Sequence, residues 1–262
     1  MSHSLPRSPI LIFMIAVSFF GLFLVVTLAI NPPIIEENLP WRKPLIGSIF
    51  GAICLLGIIA VFFPKQCSAM FHSARREHNI SANEKAVDSH ESAPNLRGHH
   101  PDCGSFSAHM VQIGNKTFCA ACTGLLFGAL ITLAGTTMYF VGYWHIEQKA
   151  SLAVLVGTLG VGLGLFQFEF RSSLRLVMNA SFVLGTFLAL VGIDEIIQSL
   201  FADLFLVVLT VFWLLTRILL SQWDHWRICY TCRTPCEAYQ KPKKSSVSAA
   251  QPTDGANDNQ YS

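Results

Sequence analysis

The sequence predicts an all-α, polytopic membrane protein of about six transmembrane helices, an N-terminal hairpin followed by a four-helix unit. Three observations carry this. The chain is 52% hydrophobic and 13% charged, where a soluble domain carries about 25% charged residues. Its 20 Phe outnumber its 16 acidic residues, as suits helices that face lipid. Six apolar stretches approach or reach the roughly 17–25 residues that a helix needs to cross a bilayer.

The first stretch, Ile10–Ile30, is longer than the roughly 7–15 residues of a signal-peptide core, and no small-residue cleavage site precedes Asn31-Pro32-Pro33. It reads as a retained helix. A short Pro- and acid-rich loop leads to the second, Leu45–Phe63, which Pro64 closes. Residues 65–98 are polar, with few large apolar side chains, and read as a flexible linker. Thr123–Trp144, Leu152–Phe168, Leu176–Ile193 and Leu204–Leu220 complete the set. The fourth and sixth are short and the fifth contains Asn179 and Ser181, so a re-entrant or buried helix is the competing reading for those three. The domain organisation is thus 1–64 (hairpin), 65–98 (linker), 99–239 (four helices with flanking Cys/His-rich segments) and 240–262 (a disordered tail).

Charge placement orients the chain. With six spans, Arg7, Lys65, Arg171, Arg175, Arg217 and Arg227 fall on one side with both termini, and the other side holds Arg42, Lys43 and Lys149. Positive residues mark the cytosolic face, so a multi-pass cell-membrane protein with both termini cytosolic is expected. Asn79-Ile-Ser81 and Asn115-Lys-Thr117 then lie away from the glycosylation machinery and are chance matches. The net charge of +2 is too small to imply a nucleic-acid partner. The implied partners are the lipid bilayer and a metal ion. Small-residue pairs at Gly47/Gly51, Gly124/Gly128 and Gly160/Gly164 let helices approach closely. That serves packing within the chain, or a homo-oligomer.

The chemistry lies in eight cysteines, six of them in two segments on the cytosolic side. One segment holds His99, His100, Cys103, His109, Cys119 and Cys122; the other holds His225, Cys229, Cys232 and Cys236. Two thiolates at Cys-x-x-Cys spacing can bite one ion, and tetrahedral zinc often takes two such knuckles. Cys119/Cys122 and Cys229/Cys232 supply two, one before the third helix and one after the sixth. Cytosolic thiols stay reduced, which favours ligands or redox thiols over structural disulfides. The candidate metal ligands are Cys119, Cys122, Cys229, Cys232, Cys236, Cys103, His100 and His109. Zinc is the expected ion. An iron–sulfur cluster fits less well, because Cys229-x2-Cys232-x3-Cys236 lacks the full four-cysteine run. A thiol–disulfide pair at Cys119/Cys122 is the alternative, since a helix N-terminus stabilises a thiolate. Cys54 reads as a buried small residue and Cys67 as a bystander. Glu169, Arg171, Arg175, Asp194, Glu195 and Asp203 sit near helix ends. They read as boundary residues, or as an ion or proton path where buried.

The run His100-Pro-Asp-Cys103…Phe106…His109…Phe118-Cys119-Ala-Ala-Cys122-Thr123-Gly124, with Gly128 in the helix that follows, resembles the signature of a prokaryotic domain-of-unknown-function family of small polytopic membrane proteins. Arg171-Ser-Ser-Leu-Arg175 with Asn179 and Gly185 is similar to that family's polar segment before another span. The likeness covers roughly residues 98–220. His99-His100 stands where many members show Cys-His, and Ala121 where they often have Arg. The resemblance implies the architecture and the Cys/His cluster and carries no activity. Three functions are compatible with these residues: a metal site that stabilises or regulates the bundle, a membrane-bound redox or metal-dependent enzyme, and a small transporter. His-Glu-x-x-His, Gly-x-Ser-x-Gly and Gly-x-x-x-x-Gly-Lys are all absent from the sequence, so the common hydrolase and nucleotide chemistries lack support. A reporter that is active only in the cytosol should work when fused after Ser262; activity there of a reporter that works only outside the cell would reverse the topology.

Overall fold

The computed structural model describes residues 9–33, 39–62, 96–97, 100–101, 109–113, 116–142 and 144–231. Among them are six α-helices: α1 Pro9–Ile30, α2 Arg42–Phe62, α3 Ala120–Phe140, α4 Ala150–Leu165, α5 Ser172–Ile197 and α6 Leu200–Thr231. Five are long and apolar enough to cross a membrane. The exception is α4, whose 16 residues rise about 24 Å at 1.5 Å per residue. Short 3-10 turns at Glu147–Lys149 and Gln167–Glu169 extend it at both ends. The sixth helix is longer than its apolar run suggests: it has 32 residues and continues past Leu220 through Asp224, His225 and Cys229. Polar residues there do not end it, because nothing in Ser221–Thr231 breaks a helix.

Helix α5 is the centre of the bundle. It packs against α3, α4 and α6, and Phe182, Ala189, Leu190 and Ile193 on it are buried in the shared core. Each helix of the N-terminal pair packs mainly on the later ones, α1 on α4 and α6, α2 on α3. Large apolar side chains such as Phe13, Phe23, Leu56, Ile131, Leu159 and Phe201 point outward, which suits hydrocarbon as the surrounding solvent.

Glycine makes the tight contacts possible. A Cβ on Gly185 would meet the Gly157 carbonyl oxygen at 2.6 Å, one on Gly160 the Ser181 carbonyl oxygen at 2.7 Å, and one on Gly128 the Ala180 carbonyl oxygen at 2.9 Å. The small-residue spacing thus serves contacts inside the chain, α4 and α3 against α5. Two antiparallel pairs were not foreseen from the sequence: β1 Leu96–Arg97 with β2 His100–Pro101, and β3 Met110–Ile113 with β4 Lys116–Cys119. The linker apart from residues 96–97, Cys67, Cys103, Cys232, Cys236 and the 240–262 tail lie outside the described residues.

Gly185→Ala should cost about 1–3 kcal/mol, the usual penalty of overpacking, and lower the melting temperature in detergent. Gly57→Ala, with nothing within 4 Å of the new methyl, should leave it unchanged or raise it.

Candidate functional site

The β3–β4 hairpin leads directly into α3. Its register places Met110 opposite Cys119, so His109, one residue upstream, comes beside the start of the Cys119–Cys122 knuckle. Cys119 is the N-cap of α3 and has extended backbone angles. The Thr123 hydroxyl donates to the Cys119 carbonyl at 2.9 Å. The Ser172 hydroxyl donates to the Met110 carbonyl at 2.9 Å and ties the hairpin to the first turn of α5. Both thiols are partly exposed.

Behind the hairpin lies a buried polar cluster that joins α5, α6 and the 3-10 turn at Gln167–Glu169. Arg175 of α5 is 2% exposed. Its Nη1 lies 3.0 Å from His109 Nε2, and its Nη2 donates to Asp224 Oδ2 of α6 at 2.9 Å. An arginine can only donate, so His109 Nε2 accepts and Nδ1 carries the ring hydrogen. Arg227 donates to the other Asp224 oxygen at 2.9 Å. One turn deeper, Arg217 donates to Gln167 Oε1 at 3.2 Å and to Asn179 Oδ1, while the Asn179 amide donates to the Arg175 carbonyl at 2.6 Å. Arg217 also lies within electrostatic reach of Cys119 and Cys122. Buried guanidiniums persist only where partners replace water; here Asp224, Asn179, Gln167 and His109 meet the terminal nitrogens.

Helices α3 and α6 do not pack extensively on each other among the described residues, as two knuckles sharing an ion through neighbouring helices would suggest. The link runs through α5 and through two imidazoles. The rings of His109 and His225 meet edge to face, 5.3 Å between centroids. His225 Nδ1 lies 2.6 Å from the Ser221 carbonyl oxygen, to which only an N–H can donate, so the lone pair of neutral His225 is on Nε2. Cys229 follows His225 by four residues within α6. Of the sequence-expected ligands, the structure therefore brings His109, Cys119 and Cys122 to this end of the bundle, with Cys229 in the last turns of α6 and His100 in β2. Among the described residues no three His, Cys, Asp or Glu side chains converge closely enough to hold an ion by themselves. Cys54 is buried in the core, as expected.

A second buried polar cluster occupies the far end, around Arg42, Tyr139, Asp194 and Asp203. Asp194 and Asp203 are fully buried; the boundary reading of these two is replaced by an ion network. Arg42 and Lys43, two of the three cations on that side, were the visible signal for it. The Arg175–Asp224 pair was harder to see, because its members lie 49 residues apart.

Fold and site together define a polytopic α-helical membrane protein with a charged, buried cluster at each end of one helix bundle. No protein-family model, curated protein or solved structure matches the chain.

Asp224→Asn leaves Arg175 buried beside a neutral group and should cost about 3–5 kcal/mol, the penalty of breaking a buried pair. Arg227→Gln, at a more exposed guanidinium, should cost about 0–1 kcal/mol. Thermal unfolding of the detergent-purified variants measures both.

Proposed function

We propose that this chain is an integral membrane protein that binds a zinc ion at the cysteine end of the bundle, on its cytosolic face. The ion ties the start of α3 to the end of α6. The observation that carries the reading is the contact between His109 and His225. It holds the segment entering the Cys119–Cys122 knuckle against α6, one turn before Cys229.

Two further features support it. His225 directs one ring nitrogen at a backbone carbonyl, the arrangement that orients a metal-bound imidazole and leaves the other nitrogen basic. His109, with Nε2 engaged by Arg175, suits an orienting role better than direct ligation. Charge favours thiolate ligands. Arg175 and Arg217 against Asp224 leave a buried excess of one positive charge, which would repel a dication held by neutral donors. A zinc with three or four thiolates carries net negative charge and would find compensation there. The reading gives the ion a structural or regulatory role.

A redox dithiol is the second reading. Arg217 lies near Cys119 and Cys122, and Cys119 caps the start of α3, the electropositive kind of setting in which redox thiols are found.

Elemental analysis of the purified protein separates the two. About one zinc per chain is expected in the wild type, with loss in Cys119→Ser and in Cys229→Ser. Metal-free wild-type protein that forms a reversible Cys119–Cys122 disulfide would support the dithiol instead. Zinc retained in both variants would overturn the shared site.

A further inference from the structure

The far-end cluster shares no residue with the metal reading, and its hydrogen bonds do not close with the protons that ionised groups supply. Tyr139 of α3 is 2% exposed, and its hydroxyl oxygen lies 2.6 Å from both Asp194 Oδ2 and Glu195 Oε2 of α5. A phenol has one hydrogen and can donate to one carboxylate. At that separation the other contact sets lone pair against lone pair unless the second carboxyl carries its own proton and donates back to the phenol oxygen.

A charge count gives the same answer independently. Arg42 Nη1 reaches Asp194 Oδ1 at 2.9 Å and Asp203 Oδ2 at 2.7 Å. Lys43 Nζ stands 3.6 Å from Asp194 Oδ2 and 3.8 Å from Glu195 Oε2, above the Tyr139 ring. Three carboxylates face two cations, from α2, α5 and α6. Asp194 and Asp203 have no exposed surface, and Asp203 Oδ1 is buried with no hydrogen-bond partner among the described residues. An unbalanced negative charge in that setting is costly, and one bound proton removes it.

We propose that this end of the bundle is a proton-binding site, in which Asp194 and Glu195 share one exchangeable proton across the Tyr139 hydroxyl. His145 is its contact with water. The imidazole is 53% exposed, and its Nδ1 lies 3.3 Å from Glu195 Oε1. Half in solvent, the ring joins Glu195 to water. That makes it a route by which a proton reaches Glu195. Arg42 and Lys43 hold the remaining two negative charges. The site therefore cycles between a neutral, protonated state and a singly negative one.

Infrared difference spectroscopy of the full chain in lipid nanodiscs, titrated in H2O and D2O, reads the proton directly. Wild-type protein at neutral pH should show a protonated-carboxyl C=O band that shifts in D2O and disappears in alkali. Glu195→Gln and Asp194→Asn each leave two carboxylates to two cations and offer an amide donor to the phenol oxygen, so each should lose the band. Lys43→Gln, at a partly exposed side chain, removes a cation and should raise the band about twofold, one further proton replacing the lost charge. Absence of the band from the wild type would overturn the proposal, and so would a band that persists at full intensity in folded Glu195→Gln.

Discussion

The close approach of α5 to α3 and α4 is the contact on which the remaining geometry rests. Lipid tails are as apolar as leucine, so membrane helices gain little from hiding apolar surface from one another. They associate through packing and hydrogen bonds. In this bundle the packing is backbone on backbone: Gly185 and Gly157, Gly160 and Ser181, Gly128 and Ala180 leave no room for a side chain between them. Because α5 cannot shift without collision, its two ends are fixed against its neighbours. Arg175 and Asn179 are held at one end, Asp194 and Glu195 at the other, and each pair completes a polar cluster with residues of α6.

Those clusters answer one demand. A charge inside the bundle has no water to solvate it and must be met by other groups of the protein. At the cysteine end the buried surplus is positive, from two arginines against Asp224. At the far end it is negative, from three carboxylates against Arg42 and Lys43. The proposed ligands compensate both: anionic thiolates bound to an ion at the first, a proton at the second. Both clusters are built from α5 and α6, so a change of charge at one end acts on helices that also hold the other.

Much of this was legible in the sequence. The six apolar stretches became six helices, since long apolar runs with few charges have no other stable form in a bilayer. The glycine spacing pointed to close packing, and the structure directs it inward. The length of α6 was hidden because hydropathy falls after Leu220, although no Gly or Pro follows to end the helix before Thr231. The β3–β4 hairpin was hidden because four-residue strands carry a weak signal next to a membrane helix. Tyr139 and Asp224 carry no signal in the sequence, and Arg217 served there only to orient the chain; their partners lie on other helices, and pairing at a distance leaves no periodicity to detect. Of the site, His109 and the Cys119–Cys122 knuckle were visible as residue types. Arg175 and Arg217 were visible as charges near helix ends, but their burial beside the knuckle was not.

X-ray absorption at the zinc edge, on protein purified in detergent without added chelator, tests the central claim most directly. The account predicts a four-coordinate ion with sulfur dominating its first shell at about 2.3 Å. A shell of nitrogen and oxygen alone would contradict it: the cysteines at the start of α3 and the end of α6 would then not be what holds this end of the bundle together.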